Sequence, residues 1–204
     1  MHISEGVLSP AVLAGGAALA VAGTAIGLKK LDYDRIPQVA VLTAAFFVAS
    51  MVHVPIGPAS VHLTLNGLMG IFLGWVAFPA ILVGLILQAI LFQHGGITTL
   101  GVNTVIMAFP AIVCFYAFST PIRSQKPSVS MAGSFMCGFG AILLGVLMLA
   151  FALVFAGDHF AAVAKVAVIA YLPIMAIEGI IAALCVRFIK RVRPEILEVV
   201  YARG

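Results

Sequence analysis

The chain has 204 residues, of which 63% are hydrophobic and only 9% are charged, and its mean hydropathy is +1.21. Soluble domains carry about 25% charged residues, so this composition excludes an ordinary water-soluble protein. The formal charge of +4 does not indicate nucleic-acid binding, because the basic residues lie beside the ends of apolar segments. We predict an all-α, polytopic integral membrane protein with a single transmembrane domain over residues 1–204.

The first two residues, Met1 and His2, offer an unusual set of nitrogen donors. A free α-amine, the amide nitrogen of residue 2 and the imidazole of a histidine at that position can close two fused chelate rings around one metal ion. Initiator methionine is normally removed only before a small side chain, so we expect Met1 to stay in front of His2. We therefore interpret residues 1–6 as a metal-binding N-terminus placed directly before an apolar segment.

Glycine, proline and charged residues divide the chain into seven predicted membrane spans. Their approximate bounds are 7–28, 36–52, 63–77, 79–93, 104–120, 131–156 and 161–188. The first is interpreted as a spanning helix rather than a secretory signal, because no basic region precedes it. The third and fourth are short for a hydrocarbon core of about 30 Å, so we expect a tilted or broken helix there.

The distribution of basic residues predicts the orientation. With the N-terminus outside, every Lys and Arg except Lys165 faces the cytoplasm, as the positive-inside rule requires. The basic segment 187–204 is then a cytoplasmic tail, predicted to be an amphipathic helix interrupted near Pro194. All five histidines fall on the opposite, outer side; they are His2, His53, His62, His94 and His159.

Two of these histidines belong to the Pro/Gly-rich segment 52–63, which we predict to form compact turns rather than a helix. His62 precedes the third span, and Ser60 is expected to cap that helix and fix the position of the imidazole. His53 is explained equally well as a structural residue and as a metal ligand.

The segment 93–104, QHGGITTLGVNT, is rich in glycine and polar residues and has two interpretations. It can be a turn between the fourth and fifth spans, with Asn103 or Thr104 capping the next helix. Alternatively, Asn103 orients a metal ligand by hydrogen bonding. The two interpretations are compatible.

Two features inside the spans concern helix packing. Glu178 is the only carboxylate deep in a span, and we favour an interhelical structural role for it over a direct role in transport. Ala14, Ala18 and Ala22 are spaced to allow close helix contact, either within the protein or with another subunit.

Four segments together resemble one family; they are MHISEG (1–6), PASVHLTLNGLMGIFLGW (58–75), FQHGGITTLGVNT (92–104) and PIMAIEG (173–179). The family is CbiM/NikM, the substrate-specific (S) membrane component of energy-coupling factor transporters for nickel and cobalt. The resemblance covers nearly the whole chain. It implies a seven-helix protein in the inner (plasma) membrane of a prokaryote, with the N-terminus facing the metal near the outer side.

The resemblance also implies a metal site. Its ligands would be Met1 through the amine, His2 through the amide and the ring, and His62 through the ring. Further residues implied to support these ligands are Ser60, Asn103 and Glu5. Four nitrogen donors that include a deprotonated amide favour a planar site, which suits Ni(II) or Cu(II), and Co(II) can use the same donors. The choice between nickel and cobalt stays open.

The implied partners are a transmembrane coupling (T) subunit, two cytoplasmic ATPase subunits and, in some relatives, a small accessory membrane subunit. The sequence contains no ATP-binding motif and no HExxH or serine–histidine arrangement, so we expect no enzymatic activity and no cofactor, with Ni2+ or Co2+ as transported substrate. Two alternatives remain, both of which depend on Glu178. One is a gradient-driven metal carrier or channel, and the other is an intramembrane metalloenzyme with this residue as general base.

Overall fold

The computed structural model describes residues 1–51, 53–56, 59–157 and 160–203, so His159 lies outside the described residues. Three short strands form in this part of the chain: β1 (His2–Ile3), β2 (His53–Ile56) and β3 (Ala59–His62). The α-helices are α1 (Pro10–Lys29), α2 (Ile36–Ala49), α3 (Asn66–Leu73), α4 (Ala77–Phe92), α5 (Leu100–Arg123), α6 (Pro127–Ala156), α7 (Ala161–Val192) and α8 (Glu195–Arg203).

The structure confirms the predicted helical membrane fold. Five helical stretches among the described residues are long and apolar enough to span a membrane. Four of them are α1, α5, α6 and α7, and the fifth is the 27-residue stretch Asn66–Phe92, which contains both α3 and α4. The predicted second span is a helix of only 14 residues, α2. The count of seven spans and the orientation therefore stay predictions.

The helical stretch Asn66–Phe92 is broken at Gly74, whose φ of +55° favours glycine. On one side of the break, Gly70 of α3 packs against the backbone of Ala111 in the middle of α5. On the other side, α4 runs back: Pro79 at its start contacts Gly27 late in α1, while Gln88 near its end bonds to Ser50 after α2. The chain thus reverses direction at this glycine, which places the residues before α3 and after α4 at the same end of the bundle.

That end carries a small antiparallel sheet in the order β1-β3-β2. His2 pairs with Ser60, and His53 pairs with His62. The prediction of compact turns over 52–63 is therefore wrong at 53–56 and 59–62, which are strands; residues 52, 57 and 58 lie outside the described residues. Strand pairing satisfies backbone groups that have few other partners inside a largely apolar protein.

The predicted interruption of the tail near Pro194 is confirmed, because α7 ends at Val192 and α8 begins at Glu195. The start of the predicted tail, however, is the last part of α7. Leu197 and Val200 of α8 are buried, and Val200 lies against the turn at Gly74. One face of α8 therefore packs against the end of the bundle opposite the sheet.

Helix α1 packs inward through glycine rather than through the alanines singled out in the sequence. Gly23 lies against Phe78, and Gly27 against Pro79 and the carbonyl of Trp75. The three alanines are exposed; they are Ala14, Ala18 and Ala22. Internal packing does not explain them, and their role as a subunit contact stays a prediction.

Candidate metal centre

The N-terminal amine lies inside the protein. Met1 is fully buried, and its amine is in hydrogen-bond contact with Nε2 of His62. The other ring nitrogen, Nδ1, lies 2.8 Å from the carbonyl oxygen of Leu63. Because a carbonyl oxygen can only accept, Nδ1 donates and Nε2 carries the lone pair that faces the amine. Two nitrogen atoms that can bind a metal ion, from residues 61 positions apart in the sequence, thus lie in contact.

The His2 ring completes this group. It is 4% exposed and stacks on the His62 ring with 4.7 Å between centroids and 20° between planes. Both of its ring nitrogens are buried and have no hydrogen-bond partner among the described residues. Buried polar atoms are almost always paired in native proteins, so two unpaired imidazole nitrogens need an explanation. A metal ion bound through this ring would satisfy one of them directly.

The surroundings keep these groups uncharged. Burial lowers the pKa of the Met1 amine well below its usual value, although the charge of Glu178 opposes the shift. Burial likewise lowers the pKa of His2 and of His62, and the neighbouring amine lowers both further. An amine or imidazole with a depressed pKa stays neutral at physiological pH, and neutral amine and imidazole nitrogens are the forms that bind metal ions.

Asn103 holds the N-terminal strand in place. Its Oδ1 accepts from the backbone amide of Ile3 at 2.9 Å, and its Nδ2 donates to the Ile3 carbonyl at 3.1 Å. Nδ2 also lies 3.2 Å from Oγ1 of Thr99. Asn103 therefore positions the residue that follows His2. The alternative in which Asn103 or Thr104 caps the next helix is wrong, since α5 follows Thr99 and has no side-chain cap.

The loop before α5 covers the same strand. The backbone amide of Thr98 donates to Oε1 of Glu5 at 3.1 Å. Gly95 has a φ of +79°, and a side chain there would start 3.1 Å from Nδ2 of Asn103 and 3.6 Å from Nδ1 of His2. Glycine is favoured at this position by the positive φ and by the closeness of Nδ2 of Asn103, whereas a side chain would make only an ordinary contact with His2.

Two residues of α7 hold the segment that carries His62. Tyr171 donates its hydroxyl proton to the carbonyl of Ser60 at 2.9 Å and lies 3.4 Å from the His62 amide nitrogen. Oε1 of Glu178 accepts from the amides of Thr64 at 2.5 Å and Leu65 at 2.8 Å, and from Oγ1 of Thr64 at 3.2 Å.

These contacts correct the expected role of Ser60 and confirm that of Glu178. Ser60 lies in β3 and does not cap α3, which begins at Asn66 after Leu65 in the left-handed conformation, with φ of 52°. The carboxylate of Glu178 satisfies backbone amides at the start of that helix, so its interhelical role is confirmed. Nothing in the sequence signals the contact of Tyr171 with β3, because it joins residues 111 positions apart.

Two more histidines lie beside this group. His53 and His94 are half-buried, and their rings meet edge to face with centroids 3.9 Å apart. The His94 ring lies 6.4 Å from the His2 ring. Burial and the neighbouring His53 lower the pKa of His94.

Taken together, the structure brings Met1, His2 and His62 into contact and places Asn103 and Glu5 behind them. No group of three His, Cys, Asp or Glu side chains in the described part of the chain could hold a metal ion. A metal centre here would therefore have to use main-chain nitrogen, which is what the buried amine of Met1 and the amide of His2 can provide.

Comparisons with known proteins identify the family of the chain. A family model described as "CbiM: Cobalt uptake substrate-specific transmembrane region" matches residues 2–196. The chain belongs to the CbiM family. It is 39% identical over 202 residues to a "Putative metal transport protein" of Haemophilus influenzae, with 97% of each chain covered. CbiM membership makes the chain a membrane component for cobalt or nickel uptake, and not an enzyme.

Two further matches extend the comparison within the CbiM family. The chain is 41% identical over 114 residues to a "Fused nickel transport protein NikMN" of Rhodobacter capsulatus, which covers 53% of this chain and 33% of that protein. A crystal structure described as that of a transition metal transporter superposes with a TM-score of 0.75 at 27% identity, covering 100% of both chains. The CbiM fold and the membrane location predicted from the sequence are thereby confirmed.

Proposed function

We propose that this chain is the substrate-binding (S) membrane subunit of an energy-coupling factor importer, an ABC-type transporter, and that it captures Ni2+ or Co2+ at its outer side. The observation that carries the proposal is the burial of the Met1 amine against Nε2 of His62, beside a His2 ring whose nitrogens have no partner. Those residues supply the donors of a high-affinity site for a cation that is cargo rather than a resident cofactor.

The proposed ligands are the amine of Met1, the amide and ring nitrogens of His2, and Nε2 of His62. The amine and Nε2 are already neighbours, as adjacent corners of a planar site must be. Planar coordination by four nitrogens suits Ni(II) better than it suits most divalent ions, so the donor set favours nickel over cobalt. Since Cu(II) also suits such a site, affinity alone does not select the transported ion.

The energy for transport must come from elsewhere, because the chain has no ATP-binding motif. We assign that role to a transmembrane coupling (T) subunit with two cytoplasmic ATPase subunits, and a small accessory membrane subunit completes some such assemblies. The exposed Ala14, Ala18 and Ala22 of α1 give a surface on which another helix can pack closely, which supports a contact with the coupling subunit there. The fused NikMN relative, of which this chain matches a third, supports the existence of further components.

The proposed orientation places the N-terminus and the small sheet outside and the basic tail in the cytoplasm. The distribution of Lys and Arg supports it. A metal ion would then enter from the outside at the end of the bundle that holds His2, His53, His62 and His94.

Two extra residues in front of Met1 test the site. Two Gly residues added before Met1 move the amine away from His2 and destroy the fused chelate, whereas a single Gly would create Gly-Met-His, which can itself bind Ni2+ through four planar nitrogens. With two Gly residues we expect loss of tight Ni2+ binding and of the planar-nitrogen absorption band. The matched control carries the same two Gly residues after Gly204 and should bind like the wild type. Mass spectrometry must first verify that Met1 is the first residue of the purified protein.

Unchanged Ni2+ affinity in the N-terminally extended protein would contradict the proposed ligand set. Uptake into vesicles separates the coupled importer from a gradient-driven carrier. We expect no net Ni2+ accumulation by this chain alone and ATP-dependent accumulation with the coupling and ATPase subunits. Accumulation driven by an ion gradient, without those subunits, would contradict the proposed coupling.

A further inference from the structure

The two half-buried histidines, His53 and His94, stand between the surface and the proposed site. Their rings touch edge to face at 3.9 Å between centroids, and His94 lies 6.4 Å from His2. His2 and His62 are only 4% and 2% exposed. The four imidazoles therefore form a row in which exposure falls from the outer pair to the inner pair.

The hydrogen bond of the His53 ring leaves one ring nitrogen available to bind a metal ion, as it does in His62. Its Nδ1 lies 3.1 Å from the carbonyl oxygen of Met51, so Nδ1 donates and Nε2 keeps its lone pair. Histidines that bind metal ions commonly donate their second ring nitrogen to a carbonyl, which fixes the tautomer and orients the ring. The contact of His62 with Leu63 follows the same pattern.

We propose that His53 and His94 form a second, weaker site for the same divalent transition-metal ion, from which the ion passes to His2 and His62. This inference rests on the proposed function. The His53 and His94 rings are in contact, so a rotation of these half-buried side chains can bring one nitrogen of each to a single ion with metal–nitrogen bonds of about 2.1 Å. Water molecules occupy the remaining coordination positions, so the ion binds weakly and dissociates readily.

A hydrated ion has little direct access to donors as buried as His2 and His62. At the outer pair it would exchange some of its waters for imidazole nitrogens while still partly solvated. The His94 ring lies 6.4 Å from the His2 ring, so the ion can move inward by exchanging one nitrogen ligand for another. An outer site of this kind raises the local metal concentration at the inner site without changing the inner ligands.

Such a transfer site has a kinetic signature that a structural role does not share. A site on the route speeds both entry and release, so its removal slows both rates and leaves the equilibrium Kd of the inner site unchanged. If the two rings instead only hold the loop over the inner site, their removal speeds release and weakens the Kd.

Stopped-flow measurement of Ni2+ binding and of chelator-induced release distinguishes these cases. The variant His53→Phe/His94→Phe keeps two aromatic rings in contact but loses the nitrogens. We expect both rates to fall about tenfold or more, with the Kd unchanged. The control Ile97→Phe adds a ring at an exposed position of the same loop and should leave both rates unchanged. Unchanged rates in the double variant, or faster release with a weaker Kd, would overturn the proposal.

A second experiment detects the outer site directly. In His2→Ala/His62→Ala, from which the inner imidazoles are removed, Cu2+ serves as a paramagnetic probe. We expect a weakly bound ion whose spectrum shows two imidazole nitrogens, and the further changes His53→Phe and His94→Phe should abolish that signal. A spectrum that does not depend on these two residues would refute the outer site.

The two experiments separate this inference from the function on which it rests. A wild-type protein that binds no Ni2+ tightly contradicts the proposed function itself. If the wild type binds Ni2+ tightly but the rates and spectra do not depend on His53 and His94, only the outer site is contradicted. Single His53→Gln and His94→Gln variants, each checked for an unchanged elution volume, give the same readouts if the double variant does not fold.

Discussion

The two ends of the helix bundle use nitrogen in opposite ways. At the histidine end, defined by His2, His53, His62 and His94, burial lowers the pKa of His2 and of His62, so their neutral nitrogens are free to bind a cation. At the opposite end, called the basic end and defined by Arg35 and Lys190, basic side chains donate to carbonyl oxygens where helices finish. Arg35 donates to the carbonyl of Phe72 at 2.8 Å, near the end of α3.

The basic end repeats this contact at a second helix. Lys190 of α7 donates to the carbonyl of Ser124 at 2.9 Å, directly after α5. Cations placed at helix C-termini satisfy unpaired carbonyls and interact favourably with the helix dipole. The comparison suggests that stability at the basic end and metal binding at the histidine end can be changed independently.

The largest expected effect is that of His62→Ala, which removes one of the proposed ligands. Loss of an outer-shell partner commonly weakens metal affinity by about 10- to 100-fold, and we expect loss of a ligand to exceed that range. Competition titration with a Ni2+ chelator measures the change. His159→Ala serves as the control, and equal effects of the two substitutions would show that the wrong histidine has been assigned to the site.

Asn103→Ala should have the next largest effect, because Asn103 makes both backbone hydrogen bonds to Ile3. Without them the N-terminal strand loses its fixed position, and we expect Ni2+ affinity to fall about 10- to 100-fold while the planar absorption band persists. Gln88→Ala removes another buried amide, which bonds to Ser50 away from the N-terminal strand. An equal loss of affinity in this control would indicate general destabilisation instead of a positioning role.

Met1, His2 and Asn103 show which parts of the candidate site the sequence contains. The potential donors of Met1 and His2 can be recognised from the sequence because the two residues are adjacent, and composition over about 20 residues predicts the apolar helices. The fixing of Ile3 by Asn103 joins residues 100 positions apart, so no local pattern contains it.

The wrong predictions for the segment 52–63 and for Ser60 have the same physical origin, which is contact between distant parts of the chain. The segment 52–63 contains turn-forming residues, yet β3 pairs on both sides, with β2 and with the distant β1. The side chain of Ser60 has the chemistry of a helix cap, whereas Glu178 accepts the amides before α3 from across the bundle. The break expected between the third and fourth spans is present, and the structure places it at Gly74.

A smaller effect on affinity is expected when Glu178 is changed, since it acts on the segment after His62 and does not touch the ring. Glu178→Ala leaves the amides of Thr64 and Leu65 without their acceptor, at a cost of about 1–3 kcal/mol for each buried group. Thermal unfolding in detergent should show a clear loss of stability, with weakened Ni2+ binding. Glu178→Gln keeps a carbonyl acceptor and should retain most of the stability and most of the Ni2+ affinity of the wild type. If Gln behaves like Ala, the negative charge itself, which also lies near the Met1 amine, is the important property.

The smallest effect on metal binding should come from the basic end. Arg35→Ala removes the charged donor to the Phe72 carbonyl, and we expect a loss of about 1–2 kcal/mol in the free energy of unfolding. Gln38 also donates to that carbonyl, at 3.2 Å, which limits the loss.

The exposed Lys29 at the end of α1 provides the control Lys29→Ala, which should change stability little. In both variants the Ni2+ affinity should stay at the wild-type value, because both residues lie toward the end of the bundle opposite the sheet. A parallel loss of affinity in Arg35→Ala alone would mean that the two ends are coupled, with α3 as the element that connects Phe72 to the segment carrying His62.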